Sequence, residues 1–186
     1  AVNVNGSKIY LNANETNGIN NPGGNAPITV TWDNNNLNQY SLFEGIIGIE
    51  HSNGIYTNGT GNLDVKHSNF KFDYPASGAG SGDANNGIYI DTGTGTSATH
   101  SVYDATFEIG SSNSNGIVVQ SGASLGVTSG TFSLRGVNSN GIRITDTVPA
   151  VNVTGGSFTT EGGYSNGIYA TGTMSTGLSV NGANFT

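Results

Sequence analysis

The sequence predicts an all-β parallel β-helix (β-solenoid) of about seven rungs, each made of three short strands, and two repeating patterns carry the prediction. The tripeptide Asn-Gly-Ile returns six times, ending at Ile19, Ile55, Ile88, Ile117, Ile142 and Ile168. Between its returns an aliphatic, one residue, an aliphatic, four residues and then Phe recur: Leu63-Val65-Phe70, Leu125-Val127-Phe132, Val151-Val153-Phe158 and Leu178-Val180-Phe185. Returns of this length are the mark of a solenoid. The same template fits Val2-Val4-Ile9 at the start and Tyr40-Leu42-Ile47 in the second turn, and one turn breaks it by placing His100 before Val102 and Phe107.

Each turn supplies three apolar stretches of period two, shown by Ile88 with Ile90, Leu125 with Val127, and Phe132 with Leu134. Alternation of this kind puts one pair inward and the residue between them outward. Gly, Asn, Ser and Thr separate the stretches and tolerate tight or left-handed backbone. Three strands and three corners close a rung of about 25 residues. Stacked by parallel pairing at about 4.7–4.9 Å, seven rungs make a rod about 30 Å tall. In the Asn-Gly column, Gly is expected to supply a positive φ and Asn to bond its copies up the stack.

Composition agrees with this reading. Charged residues are 9% of the chain and Gly is 30 of 186, with no long helical period, which excludes helical and doubly wound folds. Seven net negative charges and five Lys and Arg argue against nucleic acid and against an acidic membrane surface. The absence of cysteine fits a bacterial surface or secreted protein that does not depend on disulfides. Residues 1–186 read as one β-helix segment that starts within a coil and stops without a polar cap, so it is expected to belong to a longer rod. Two insertions, near 20–39 and 73–84, are expected to project; the first carries the run Ile28 to Trp32 and the second Asp73-Tyr74-Pro75.

Outward columns follow from the register. The position after each Asn-Gly-Ile reads Asn20, Tyr56, Tyr89, Val118, Arg143 and Tyr169. Aromatic rings beside polar groups suit sugar or protein binding, while stacked Tyr also simply favours β structure. Tyr56, Tyr89, Arg143 and Tyr169, with Trp32 and Tyr74 on the insertions, are therefore the candidate binding residues. Three positions before the Phe site, Glu44, His67 and Asp104 align, which reads as a solvated charge ladder or, more weakly, a metal site. His100 points inward and is expected to be a hydrogen-bonded core residue. Lys71 beside Glu108, and Arg135 beside Glu161, read as surface pairs.

Enzyme motifs are poor. Asp91-Thr92-Gly93 has the letters of an aspartic-protease signature without the second copy that such a site needs. Glu50-His51-Ser52 sets an acid, a base and a hydroxyl next to one another in sequence, which points them apart in space. No catalytic residue and no cofactor is assigned.

Two segments, Val151 to Gly172 and Ser121 to Phe132, resemble the passenger repeats of pertactin-like type V autotransporters of Gram-negative bacteria, and the resemblance is best from Asn115 to Thr186. It implies a right-handed β-helical passenger exported through an outer-membrane β-barrel to the cell surface, with host glycan or matrix protein as partner. The serine-protease subgroup's nucleophile motif is missing, and the family has no universal binding residues to carry over. The leading expectation is a cell-surface adhesin. Self-association that holds bacteria together in aggregates or biofilm stands second, and a carbohydrate-active enzyme on the same scaffold third.

Overall fold

The computed structural model describes residues 1–31, 40–45, 49–72, 84–93 and 98–186. All of its regular structure among these is β, arranged as three parallel sheets that wind around one core, a parallel β-helix. The first sheet stacks Val2–Asn5, Ile28–Thr31, Leu63–Lys66, Thr99–Tyr103, Ser124–Thr128, Val148–Thr154 and Met174–Asn181. The second stacks Lys8–Leu11, Ser41–Gly45, Ser68–Phe72, Thr106–Ile109, Thr131–Leu134, Ser157–Thr160 and Asn184–Phe185. The third holds the Asn-Gly-Ile strands: Asn17–Asn21, Asn53–Thr57, Asn86–Asp91, Asn115–Ser121, Asn140–Ile144 and Asn166–Ala170. Seven rungs of three strands are therefore present, the third sheet having six.

The interior is built from columns of like residues. Phe43, Phe70, Phe107, Phe132, Phe158 and Phe185 stack along the axis with centroids 4.5–4.8 Å apart and planes within 8° of parallel. Beside them the Asn amides form the expected ladder: Asn53 donates to Asn17, Asn86 to Asn53, Asn115 to Asn86, Asn140 to Asn115 and Asn166 to Asn140, all at 2.8–3.0 Å. An amide suits this role because it donates on one side and accepts on the other. A second ladder runs through the residue before each Asn. The backbone N–H of Thr16, Ser52, Asn85, Ser114 and Ser139 each donates to a side-chain oxygen of the next rung, at 3.0–3.3 Å. Backbone amides at a buried corner are satisfied in this way.

Three expectations are corrected. The run from Ile28 is not a projecting insertion: Ile28–Thr31 pairs with Val2–Asn5 on one side and Leu63–Val65 on the other. Consequently the Tyr40-Leu42-Ile47 register fails, since Phe43 is the stacked aromatic of that rung and Leu42 lies outward beside Lys8 and Asn69. The lengthening of the second rung falls between Val30 and Phe43, and residues 32–39 lie outside the described residues, as do 73–83 of the expected second insertion and Ile47.

The third correction concerns the glycines of Asn-Gly-Ile. Their φ values are not positive; the left-handed residues of that corner are Glu15, His51, Ala84, Asn113, Asn138 and Tyr164. Glycine is required for space. A Cβ on Gly116 would stand 2.7 Å from the carbonyl oxygen of Gly141 and 2.8 Å from two ring carbons of Phe132. The Asn-Gly column and the Phe stack are therefore one packing unit. Gly116→Ala should cost about 1–3 kcal/mol through overpacking, whereas Gly126→Ala, whose Cβ would meet nothing closer than 3.9 Å, should be neutral or stabilise by up to about 1 kcal/mol. Urea unfolding of the two variants checks this, and equal losses would refute the packing account.

Candidate functional site

The outward column after Asn-Gly-Ile is in register as read: Asn20 with Tyr56, Tyr56 with Tyr89, Tyr89 with Val118, Val118 with Arg143 and Arg143 with Tyr169. Tyr56, Tyr89, Val118 and Arg143 form the floor of an open trough of about 630 Å³ that crosses four stacked strands. One bank is the left-handed corner, with His51, Ala84 and Asn113. The other bank carries Asp91, Gln120, Thr145 and Asp146.

The floor is graded from aromatic to cationic. Tyr56 and Tyr89 stack at 5.6 Å with 25° between planes, so one face of each ring is covered by the other, and the pair presents edges and hydroxyls more than a stacking platform. Val118 is 4% exposed and lies below its neighbours, while Arg143 is exposed. Tyr169 is 42% exposed but sits outside the trough.

A β-bulge shapes the far bank. Pairing runs Val119 to Ile90 and then jumps to Ser121 with Asp91, leaving Gln120 as the extra residue. Bulges of this kind re-aim a side chain, and Gln120 accepts a hydrogen bond from the Tyr89 hydroxyl through Oε1. Ser121 Oγ donates to Asp91 at 2.6 Å. Burial first, then the Asp91 carboxylate and Tyr56, push the Tyr89 phenol above its ordinary pKa, with Arg143 acting in the opposite sense. Tyr89 thus remains a neutral hydrogen-bond donor. Gln120 escaped sequence reasoning because a one-residue bulge leaves no repeating signal.

The remaining candidates separate. Trp32 and Tyr74 lie outside the described residues. His67 and Asp104 do meet, Nδ1 to carboxylate at 2.9 Å, at a left-handed corner where the His67 ring also stands edge-on to Tyr103 at 5.5 Å. Glu44 is not with them: it lies in the second sheet between Tyr10 and Lys71, because Phe43 rather than Ile47 sets its register. Among the described residues no group of three His, Cys, Asp or Glu is placed to hold a metal ion. Lys71 faces Glu108 in register, as read. A second concavity of about 570 Å³ lies over Gly126 on the first sheet. Its charges satisfy one another: Asp64 meets Lys66 at 2.8 Å and accepts from Ser101 at 2.5 Å. Burial opposes ionisation of Asp64, but Lys66 and Ser101 outweigh it and hold the carboxyl below its usual value.

His100 is fully buried, and its Nδ1 accepts the backbone N–H of Leu63 at 3.0 Å. The equivalent amides of two earlier rungs, Val2 and Ile28, donate to carbonyl oxygens of Pro27 and Asn62. The imidazole therefore supplies the acceptor that a carbonyl supplies elsewhere, while its Nε2 has no partner. Burial pushes its pKa down to about 4.

Compared with known proteins, the chain matches no protein-family model, no curated protein and no solved structure.

The His100 shift has a sign that can be tested. With a native pKa below the unfolded value of about 6.5, the unfolded chain binds the proton more tightly, so stability is full above that value and is lost as pH falls toward 4. The loss attributable to His100 should be about 3 kcal/mol by pH 4. Denaturant unfolding at pH 7 and pH 4 should show a drop larger by that amount in the wild type than in His100→Leu; equal drops would refute it.

Proposed function

We propose that the chain is a segment of a bacterial cell-surface adhesin, a β-helical passenger of the pertactin-like autotransporter kind, that binds host glycan or matrix protein through the trough on its third sheet. The observation that carries this reading is the trough floor. Tyr56 and Tyr89 supply hydroxyls and ring edges, Val118 an apolar step and Arg143 a cation, with Asp91, Gln120 and Asp146 on one bank. Hydroxyls, amides and carboxylates around aromatic edges form the donor and acceptor set that a polyhydroxylated ligand satisfies.

The shape favours a narrow ligand over a second copy of the rod. Self-association along flat ladders would bury a broad surface, whereas a trough across four strands, about 14 Å by strand spacing, admits a slender chain. Catalysis is less well supported. Asp91 is held by Ser121, and the raised pKa of Tyr89 suits a donor better than a nucleophile. The resemblance to autotransporter passengers rests on repeat segments and supports surface display. Export would then proceed through an outer-membrane β-barrel.

Binding to a panel of glycans and extracellular-matrix proteins tests the proposal. Saturable binding should weaken at least about tenfold in Tyr56→Ala/Tyr89→Ala, consistent with the loss of two or more hydrogen bonds, with the fold retained and only a modest drop in melting temperature, because both side chains are half-buried on the outer face and stack on each other rather than in the core. Undiminished binding by the double variant would place the site elsewhere. Concentration-dependent dimerisation without any binding would favour self-association.

A further inference from the structure

Gly126 lies in an outward column of the first sheet, paired with Ser101 on one side and Asn152 on the other, and Ser101 in turn pairs with Asp64. Its chain neighbours Leu125 and Val127 are the buried ones. The fold does not require glycine at this position. Its φ is not positive, and an added Cβ would meet nothing closer than 3.9 Å, whereas a Cβ on any glycine of Asn-Gly-Ile would stand 2.5–2.7 Å from its nearest neighbour. Glycine inside a strand weakens it and often marks a place where a ligand or another backbone approaches closely. No other backbone presses on Gly126, so the ligand is the cause that remains.

The missing side chain opens the concavity of about 570 Å³ on the first sheet, a size that suits a small ligand. Ser101 and Gly126 form its floor, and Lys66, Tyr103 and Thr128, successive members of the next outward column, form one wall. Tyr103 is 44% exposed. The His67 ring stands edge-on to it and is itself bonded to Asp104, which braces the aromatic ring from the corner. The His67–Asp104 pair, unused by the trough, thereby acquires a role.

The polar groups define the ligand. Asp64 and Lys66 pair at 2.8 Å and leave the concavity without net charge, so neither an acid nor a base on the ligand is rewarded. Lys66 spends one N–H on Asp64, and an ammonium has three to give. Ser101 gives its proton to Asp64 and keeps lone pairs that can accept, while the Thr128 hydroxyl is exposed and can do either. Donors and acceptors interleaved beside a single aromatic ring match a hydroxylated, uncharged ring with one apolar face.

We propose that this concavity is a carbohydrate site, distinct from the trough, that takes one neutral pyranose residue with its apolar face on Tyr103 and its hydroxyls on Lys66, Ser101 and Thr128. It shares no residue with the trough on the third sheet, and neither site depends on the other.

Amide chemical-shift titration of the isotope-labelled chain tests it, with cellobiose, lactose and N,N′-diacetylchitobiose as neutral probes and cellobiouronic acid as an anionic one. At least one neutral disaccharide should shift the amides of Asp64, Ser101, Gly126 and Thr128 saturably, and cellobiouronic acid should bind no more tightly than cellobiose. Gly126→Val fills the floor and should weaken binding at least about tenfold, with its urea midpoint at or above that of the wild type; Gly126→Ala should weaken it less, in the same direction. Tyr103→Ala should weaken binding about three- to tenfold. Tyr56→Ala/Tyr89→Ala should leave these shifts unchanged.

Binding of none of the three neutral sugars overturns the proposal, as does binding that survives both Gly126→Val and Tyr103→Ala. Tighter binding of cellobiouronic acid than of cellobiose overturns the assignment of an uncharged ligand. Shifts confined to Tyr56, Tyr89 and their neighbours overturn this site and leave the trough standing, while shifts here with none at the trough do the reverse.

Discussion

Parallel pairing between rungs fixes the distance at which every side chain must meet its own counterpart, and few side chains repeat well at a strand spacing of about 4.8 Å. A phenyl ring does, lying parallel and offset on the next, as the six stacked Phe residues show. A carboxamide does, because it passes a hydrogen bond in one direction along the column. Space is the second constraint. With rings lining one wall, the strand opposite must approach so closely that a Cβ on Gly54, Gly87, Gly116 or Gly141 would overlap both a ring and the next glycine's carbonyl. Asn, Gly and Phe are therefore coupled choices, and each rung is stabilised chiefly by the two it touches.

Departures from the columns show what the stack tolerates. Asn85 stands where Ser or Thr occurs in the other rungs, and it keeps the ladder by offering Oδ1 to Ser52 while its amide donates to the carbonyl of Ile49. His100 enters an apolar column and takes over a backbone acceptor's role, leaving Nε2 unsatisfied. An orphaned buried donor costs about 1–3 kcal/mol. The site is thus held in a neutral state that acid disfavours.

The architecture was legible in the sequence because its determinants repeat: five of the stacked Phe residues and all six Asn could be read off their spacing. The errors came where one observation allowed two physical causes. Positive φ and close approach both call for glycine, and only coordinates show that the left-handed residues of the corner are Glu15, His51, Ala84, Asn113, Asn138 and Tyr164. Phe43 and Ile47 both offered an apolar residue for the second rung. Choosing Ile47 displaced Ile28–Thr31 from its sheet and brought Glu44 wrongly beside His67. The register of the column that forms the trough floor was legible because it is tied to Asn-Gly-Ile. The far bank was not, since a bulge at Gln120 belongs to one rung alone.

A solenoid also carries its own internal comparison. Positions that serve the stack hold the same residue in rung after rung: Asn, Gly and Ile on the third sheet, Phe on the second. The position directly after Ile changes at nearly every rung, from Asn20 through Tyr56, Tyr89, Val118 and Arg143 to Tyr169. Stacking geometry alone would accept a uniform polar or β-branched residue there, as it accepts Thr and Ser at outward positions of the second sheet, where Thr106, Thr131 and Ser157 follow one another. A graded sequence of aromatic, apolar and cationic side chains goes beyond what pairing between rungs requires, to which only the Tyr56–Tyr89 stack contributes directly, and it coincides with the trough bounded by a bulge. Other outward columns vary too, Glu44, Lys71, Glu108, Ser133 and Thr159 on the second sheet among them, so it is the trough together with the variation that marks this column as one in which a ligand's requirements can be written.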